Sequence, residues 1–277
     1  MTKLCVGLLT YCNSATHPER YEIFQACLTG LKALANENVY IYALDNGSSQ
    51  DVINALKSSP HIQDVYQSRS NLYDVLAFNF LVRKGKEINA KYVMHLEDDL
   101  LFYDTGFVDP CIEFLENNSD CGCVRILKYD FNDKAKYDKF ANHPEKDTAN
   151  HQRHYNNISK ENLIWSEKMG FGRFDFYKNN WHWYNFPNIC RIDVLKKILP
   201  KCDCYPMQSL EGDLMKNYYD LNLRTGVMDK GVVTHLGDYN KKTSMRLSFA
   251  NLSSPDPKKR FPLIKIENVE DEIGFLL

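Results

Sequence analysis

The chain has 277 residues, of which 44% are hydrophobic and 13% aromatic, and its formal net charge at pH 7 is -2. This length is enough for one large α/β domain, or two small ones, with a sizeable core. The near-neutral charge argues against a general nucleic-acid-binding protein, which needs a basic surface.

The apolar segments are short. No run is long enough for a membrane-spanning helix, and the apolar stretch over residues 4–9 is too short for a signal peptide or an anchor. We therefore expect a soluble, cytoplasmic protein without a transmembrane segment.

The nine cysteines are scattered along the chain, as is typical of reduced thiols rather than of a disulfide framework. Two Cys-x-Cys pairs, Cys121/Cys123 and Cys202/Cys204, leave a zinc site as an alternative. Zinc sites more often use a Cys-x2-Cys spacing, which weakens that alternative.

Strands and helices are predicted to alternate through the first hundred residues. Strands are predicted over residues 4–10, 38–44, 64–67 and 91–96, and helices over residues 19–36, 50–58 and 73–88. This alternation predicts an α/β fold with a mostly parallel central sheet and helices on both faces. Ligands of such sheets bind beyond the carboxyl ends of the strands.

The second half of the chain is less regular. Residues 129–163 are polar, which predicts a long, mobile surface loop that closes over a site. Helices are predicted over residues 193–199 and 209–221, and a strand over residues 231–235. The tail after residue 251 is expected to pack across the main domain.

Aromatic residues are dense over residues 165–187. We expect Phe174 and Phe176 to belong to the core. Trp181, His182 and Trp183 are better candidates for a cleft, because consecutive large side chains cannot all face inward from one element.

The acidic run Glu97-Asp98-Asp99 follows a predicted strand and is the most informative motif. Adjacent carboxylates repel one another, so a strand end that brings them together is typical of a cation site. A solvated turn that caps the next element is the alternative.

Six short motifs, in chain order, resemble those of nucleotide-sugar glycosyltransferases of the GT-A fold, and most of all the inverting family 2. They are Leu8–Asn13, Asp45–Ser49, Asn71 with Ala77 and Asn79, Glu97–Asp99, Glu211–Asp213, and Thr234–Gly237. The resemblance covers residues 4–240 and implies a Rossmann-like GT-A fold with a C-terminal acceptor-side region. The chain departs from the family where Leu72-Tyr73 follow Asn71 without the expected glycine, and where Gly212 splits the acid pair.

The resemblance implies a single domain over residues 1–277. Its nucleotide-sugar-binding half is residues 1–105, its acceptor-binding half is residues 106–250, and a tail spans residues 251–277. The implied activity is metal-dependent transfer of a sugar from a nucleotide-sugar donor, preferably a UDP-sugar, to a carbohydrate or other hydroxyl acceptor, with inversion.

Site residues follow from the same resemblance. The metal, Mn²⁺ or Mg²⁺, would be held by Asp99, with Glu97 nearby and His235 as a further ligand that favours Mn²⁺ because imidazole is the softer donor. A buried, hydrogen-bonded strand-end histidine is the alternative for His235. The donor-binding residues would be Thr10, Asp45, Arg69, Asn71, Asn79 and Asp98.

Asp213 or Glu211 would take the proton from the acceptor hydroxyl. Acids at a helix start are also common because they favour the helix dipole, which is the alternative for this pair. Trp181, His182 and Trp183 would bind the acceptor sugar. Asp45 could equally be a turn-forming residue without a ligand.

Two other functions compete with sugar transfer. A nucleotidyltransferase that forms sugar nucleotides would carry a Gly-rich basic loop after the first strand, and the turn Tyr11–Ala15 has none. A non-catalytic, glycan-binding or structural relative is the other, and the intact acids argue against it.

Overall fold

A computed structural model describes residues 2–68, 73–102, 104–126, 166–179, 187–199, 204–205, 210–235, 264–265 and 273–275. For residues 73–76, 204–205, 210–212, 234–235, 264–265 and 273–275 the description covers the backbone only. The whole loop predicted over residues 129–163, and the candidates Arg69, Asn71, Trp181, His182 and Trp183, lie outside the described residues.

Strands and helices alternate in the amino-terminal half, and short strands dominate after it. The strands are β1 Leu4–Thr10, β2 Val39–Asp45, β3 Asp64–Ser68, β4 Tyr92–Glu97, β5 Leu100–Phe102, β6 Cys121–Arg125, β7 Met169–Phe171, β8 Phe174–Asn179, β9 Asn188–Arg191, β10 Cys204–Tyr205, β11 Arg224–Met228, β12 Val233–His235, β13 Ile264–Lys265 and β14 Ile273–Phe275. The helices are α1 Pro18–Gly30, followed by a 3₁₀ turn over Leu31–Leu34, α2 Gln50–Ser58, α3 Tyr73–Glu87, α4 Val108–Asn117, α5 Ile192–Ile198 and α6 Leu210–Asp220.

Ten strands form one sheet in the order β14-β3-β2-β1-β4-β9-β6-β11-β8-β7. β3, β2, β1 and β4 are parallel neighbours, as the sequence predicts. β9 then runs antiparallel between β4 and β6, and β7, β8 and β14 are also antiparallel to their neighbours. The central sheet is therefore parallel from β3 to β4, has an antiparallel edge strand β14 beside β3, and is mixed from β9 onward.

The sheet has a hydrophobic core on each face. Leu4, Val6 and Leu8 alternate with Cys5 and Leu9 along β1, and the two sets belong to different cores. Because successive strand side chains point to opposite faces, helices must cover both sides. α1, α2 and α4 pack on the first face, and α3, α5 and α6 on the second.

The predicted elements of the first half are confirmed within two residues, except that the first helix ends at Gly30 and continues as the 3₁₀ turn. Phe174 and Phe176 are buried, as predicted. Helix α4 and strands β5 to β11, β13 and β14 were not predicted. Strand β14 of the tail adds to the sheet beside β3, so part of the tail does pack on the main sheet.

Among the described residues, the cysteine side chains are free thiols and buried. Burial raises the pKa of Cys121 to about 12 and of Cys123 to about 11. The two thiols also belong to different cores, because the pairing of β6 with β11 shifts register between them. These two residues do not form the zinc site that their spacing left open.

No helix in the described part of the chain is long and apolar enough to cross a membrane.

Gly226 on β11 lies against an aromatic cluster, which gives a first stability prediction. A methyl group there would overlap Phe114 and come within 3.0 Å of Val124 Cγ2. Phe114 has little room to move because it stacks on Phe176 at 5.1 Å. We expect Gly226→Ala to lower the free energy of unfolding by about 1–3 kcal/mol, the usual cost of overpacking a core. Urea unfolding measures this.

The matched control is Gly170→Ala on the outer strand β7. A methyl group there would meet only Asp175 Oδ1, at 3.7 Å. We expect little change for this variant, and equal losses for the two glycines would contradict the packing argument.

His95 gives a prediction about pH. It lies on β4, stacks on Phe78 at 4.5 Å, and burial lowers its pKa from 6.5 to about 3. Below pH 6.5 the unfolded chain gains a proton that the folded chain excludes, so stability falls as pH falls towards 3. His95 alone should cost about 2 kcal/mol between pH 7 and pH 5.

His95→Phe keeps a stacked ring and cannot titrate. We expect urea unfolding of this variant to lose about 2 kcal/mol less stability than the wild type between pH 7 and pH 5. Parallel losses in the two proteins would show that His95 is not the titrating group.

Candidate functional site

The carboxyl ends of β1, β2 and β4 bring the acidic run to one edge of the sheet. Leu9 pairs with Glu97 and Thr10 pairs with Asp45 in the strand register. The backbone N–H of Tyr11, one residue further, donates to Asp98 Oδ2 at 3.1 Å. The end of β1 therefore holds Asp98 directly and lies beside Asp45.

Asp98 and Asp99 are buried, and both contact the guanidinium of Arg20. Arg20 Nη1 donates to Asp99 Oδ2 at 3.0 Å, and Nη2 donates to Asp98 Oδ1. The side chains are 11% exposed for Arg20, 2% for Asp98 and 5% for Asp99. The alternative of a solvated acidic turn does not describe these two aspartates.

Charge and burial oppose each other in this cluster. Burial raises the pKa of Asp98, while Arg20 and the Tyr11 N–H act to lower it. Burial acts to lower the pKa of Arg20, but the negative charges of Asp98 and Asp99 outweigh it, so that pKa is raised. Two adjacent buried carboxylates thus depend on a nearby positive charge.

Asp45 organises the turn after β2. Its carboxylate is buried and accepts from the Gly47 N–H at 3.1 Å and the Ser48 N–H at 3.2 Å. Gly47 has a φ of +96°, which few other residues adopt. Ser48 Oγ in turn accepts from the Cys12 N–H at 3.0 Å. Asp45 is therefore a turn-former, and its turn is tied to the loop after β1.

Thr10 and Tyr11 present two features at this edge that a ligand could use. Thr10 Oγ1 is buried and makes no hydrogen bond to the described residues. By strand alternation Thr10 shares the face of Leu8, which α1 covers. Tyr11 is 54% exposed, which is unusual for a large aromatic side chain in this part of the structure. An exposed ring offers a flat surface for stacking.

A short antiparallel pair brings His235 to the same region. β12 pairs with β5, and His235 is in register with Leu100, directly after Asp99. The carboxylates of Asp99 and Glu97 and the imidazole of His235 are donor groups that suit Mn²⁺, so these residues fit a divalent cation by their chemistry. Within the described side chains, no three His, Cys, Asp or Glu residues converge on a metal position, and the His235 side chain is not among them.

Glu97 and Asn79 are partly buried, on β4 and α3. Asp213 is partly buried on α6, and for Glu211 only the backbone is described. α3 and α6 cover the face opposite α1, so Asn79 and Asp213 belong to elements on the other side of the sheet from Arg20.

Comparison with known proteins identifies the fold. No protein-family model and no curated protein matches the sequence. Solved structures match almost all of it. Staphylococcus aureus TarS, residues 1–349, matches with a TM-score of 0.51 and 14% identity over 94% of this chain and 68% of that one. The mannosyltransferase PcManGT from Pyrobaculum calidifontis, in complex with GDP-Man and Mn²⁺, matches with a TM-score of 0.54 and 11% identity over 97% of this chain and 68% of that one.

The chain has the GT-A fold of nucleotide-sugar glycosyltransferases. In this GT-A fold the acidic run lies at the carboxyl edge of the parallel strands, where the sequence analysis placed it. At 11–14% identity the likeness to these two structures is one of fold.

Sequence reasoning missed Arg20 and Tyr11 as residues of the candidate site. Arg20 stands in a helix with many polar neighbours, where a lone arginine indicates a solvated face. Tyr11 is an aromatic residue directly after the first strand, and this position alone does not indicate a site. The contacts with Asp98 reveal both residues.

Proposed function

We propose that the chain transfers a sugar from a nucleotide-sugar donor to a hydroxyl group of a carbohydrate or other acceptor, with inversion. The donor we favour is a UDP-sugar. The observation that carries the proposal is the buried Asp98–Asp99 pair, fixed by the Tyr11 N–H at the carboxyl edge of a GT-A sheet. A carboxylate pair kept out of water in this place needs a positively charged partner.

The donor nucleotide would lie over the ends of β1 and β2. Tyr11 offers an exposed ring to stack on a base, and Thr10 Oγ1 offers a hydrogen bond. Asp45 acts through its turn, which holds the loop of Cys12 in place. The candidates Arg69 and Asn71 belong to the same proposed donor site, as does Asn79 on α3.

Asp99 and His235, with Glu97 beside them, would hold a divalent cation, Mn²⁺ or Mg²⁺. Such an ion supplies Lewis-acid stabilisation of the negative charge that develops on a departing diphosphate. PcManGT, whose fold is similar, was solved with GDP-Man and Mn²⁺ bound, which supports this part of the proposal.

On the acceptor side, Asp213 or Glu211 would take the proton from the attacking hydroxyl. Trp181, His182 and Trp183 would pack against the acceptor sugar, because aromatic faces suit the apolar faces of pyranose rings. The segment 129–163 would exclude water from the donor.

A panel of sugar nucleotides with Mn²⁺ tests the proposal. We expect one UDP-sugar to raise the thermal midpoint of unfolding through binding to the native state, and slow hydrolysis of the same donor to release UDP. Chelation of the metal should abolish both effects. If no sugar nucleotide is bound or hydrolysed, the non-catalytic alternative replaces sugar transfer.

A further inference from the structure

The guanidinium of Arg20 lies where a cation would lie. It contacts one oxygen of each aspartate, Asp98 Oδ1 and Asp99 Oδ2. The second oxygen of Asp98 already accepts the Tyr11 N–H at 3.1 Å. A divalent ion bound to Asp99 would therefore draw on a carboxylate that now holds Arg20.

Arg20 and a divalent ion compete for these carboxylates. A Mn²⁺ or Mg²⁺ ion requires carboxylate oxygens at about 2.0–2.2 Å. A guanidinium on the same oxygens would lie close to the ion. Because the cluster is buried, solvent would screen the repulsion between the two positive charges only weakly. Each cation therefore weakens the binding of the other to the pair.

We propose that Arg20 is a resident counter-cation of the acidic pair, and that Arg20 leaves Asp99 before a divalent cation binds there. This inference rests on the proposed function, because it takes the cation site as given.

A nucleotide diphosphate provides the means of release. Phosphate oxygens match the planar fork of an arginine as well as carboxylates do. Once Arg20 moves to the diphosphate, Asp98 and Asp99 are left without their positive partner and attract the divalent ion. The ion and the nucleotide should therefore bind with positive coupling, each strengthening the other by the same factor.

The test compares Mn²⁺ titrations of the full chain by calorimetry, alone and with saturating UDP. For the wild type we expect weak binding of Mn²⁺ alone, and at least tenfold tighter binding with UDP. For Arg20→Gln we expect Mn²⁺ alone to bind at least tenfold more tightly than to the wild type, with a smaller effect of UDP.

Arg173→Gln is the matched control. Arg173 is 63% exposed and pairs with Asp104, so this variant changes the net charge equally but leaves the acidic pair intact. Its affinity for Mn²⁺, alone and with UDP, should equal that of the wild type. Arg20→Lys keeps the positive charge but loses the planar fork of the guanidinium. Its affinity for Mn²⁺ should lie between those of the wild type and Arg20→Gln.

Arg20→Gln also leaves two buried carboxylates without their partner. If this variant is unfolded without metal, Mn²⁺ should restore the folded state, and failure of Mn²⁺ to do so overturns the inference. Equal Mn²⁺ affinity in Arg20→Gln and the wild type overturns it as well. If the affinities are equal but the wild type still transfers sugar, the proposed function stands and only this inference fails. If Arg20→Gln binds Mn²⁺ more tightly but the wild type transfers no sugar, the proposed function fails and this inference stands.

Discussion

Asp99→Asn should remove metal-dependent donor binding and lower the rate of sugar transfer by at least about 100-fold, which corresponds to about 3 kcal/mol of transition-state stabilisation. The amide has nearly the size of the carboxylate but is a much poorer ligand for a hard cation. The fold should survive, because Asp98 still pairs with Arg20. Calorimetry of the donor with Mn²⁺, together with the transfer rate, measures both effects.

Asp104→Asn serves as the control for this change. Asp104 follows Asp99 a few residues further along the chain and pairs with the exposed Arg173. The charge change is therefore the same but lies outside the acidic pair. Unchanged donor affinity in Asp99→Asn would remove Asp99 from the metal site.

Asp213→Asn should separate binding from chemistry. We expect donor affinity to remain and the rate of transfer to fall by about 10²–10⁴-fold, the usual contribution of a general base. Single-turnover transfer with a saturating donor, beside calorimetry of donor binding, distinguishes the two. Asp220→Asn, near the end of the same helix and paired with Lys216, should leave both quantities unchanged.

The neighbouring acid decides how a negative result is interpreted. If Asp213→Asn retains transfer and Glu211→Gln abolishes it, Glu211 is the base. If both variants transfer normally, the base lies outside this helix start.

The first half of the fold could be predicted because its local signals agree with one another. β1, β2 and β4 are short apolar runs buried on both faces, and polar turns separate them from the helices between them. The second half lacks such signals. β6 contains Gly122 and the charged Arg125, although all of its residues are buried. Its partners β9 and β11 come from distant parts of the sequence.

The position of the candidate site was predictable, but its charge balance was not. An acidic run after a buried strand must lie at the carboxyl edge of the sheet, and Asp98 does. Arg20 is 78 residues from Asp98 in sequence, and helical periodicity does not show that the loop after β1 turns α1 towards β4. The register of His235 with Leu100 likewise depends on a pairing across the whole fold.

Strand β9 makes the two halves of the chain interdependent. Its residues Asn188–Arg191 come from the carboxyl-terminal half, yet they complete the hydrogen bonds of β4, the strand that delivers the acidic run. A fragment that ends at residue 126 would leave the apolar edge of β4 without its partner, and unpaired edges of this kind promote association between chains. The two halves cannot be exchanged as independent modules, so a chimera that replaces the carboxyl-terminal half should keep β9 with the strands that precede it.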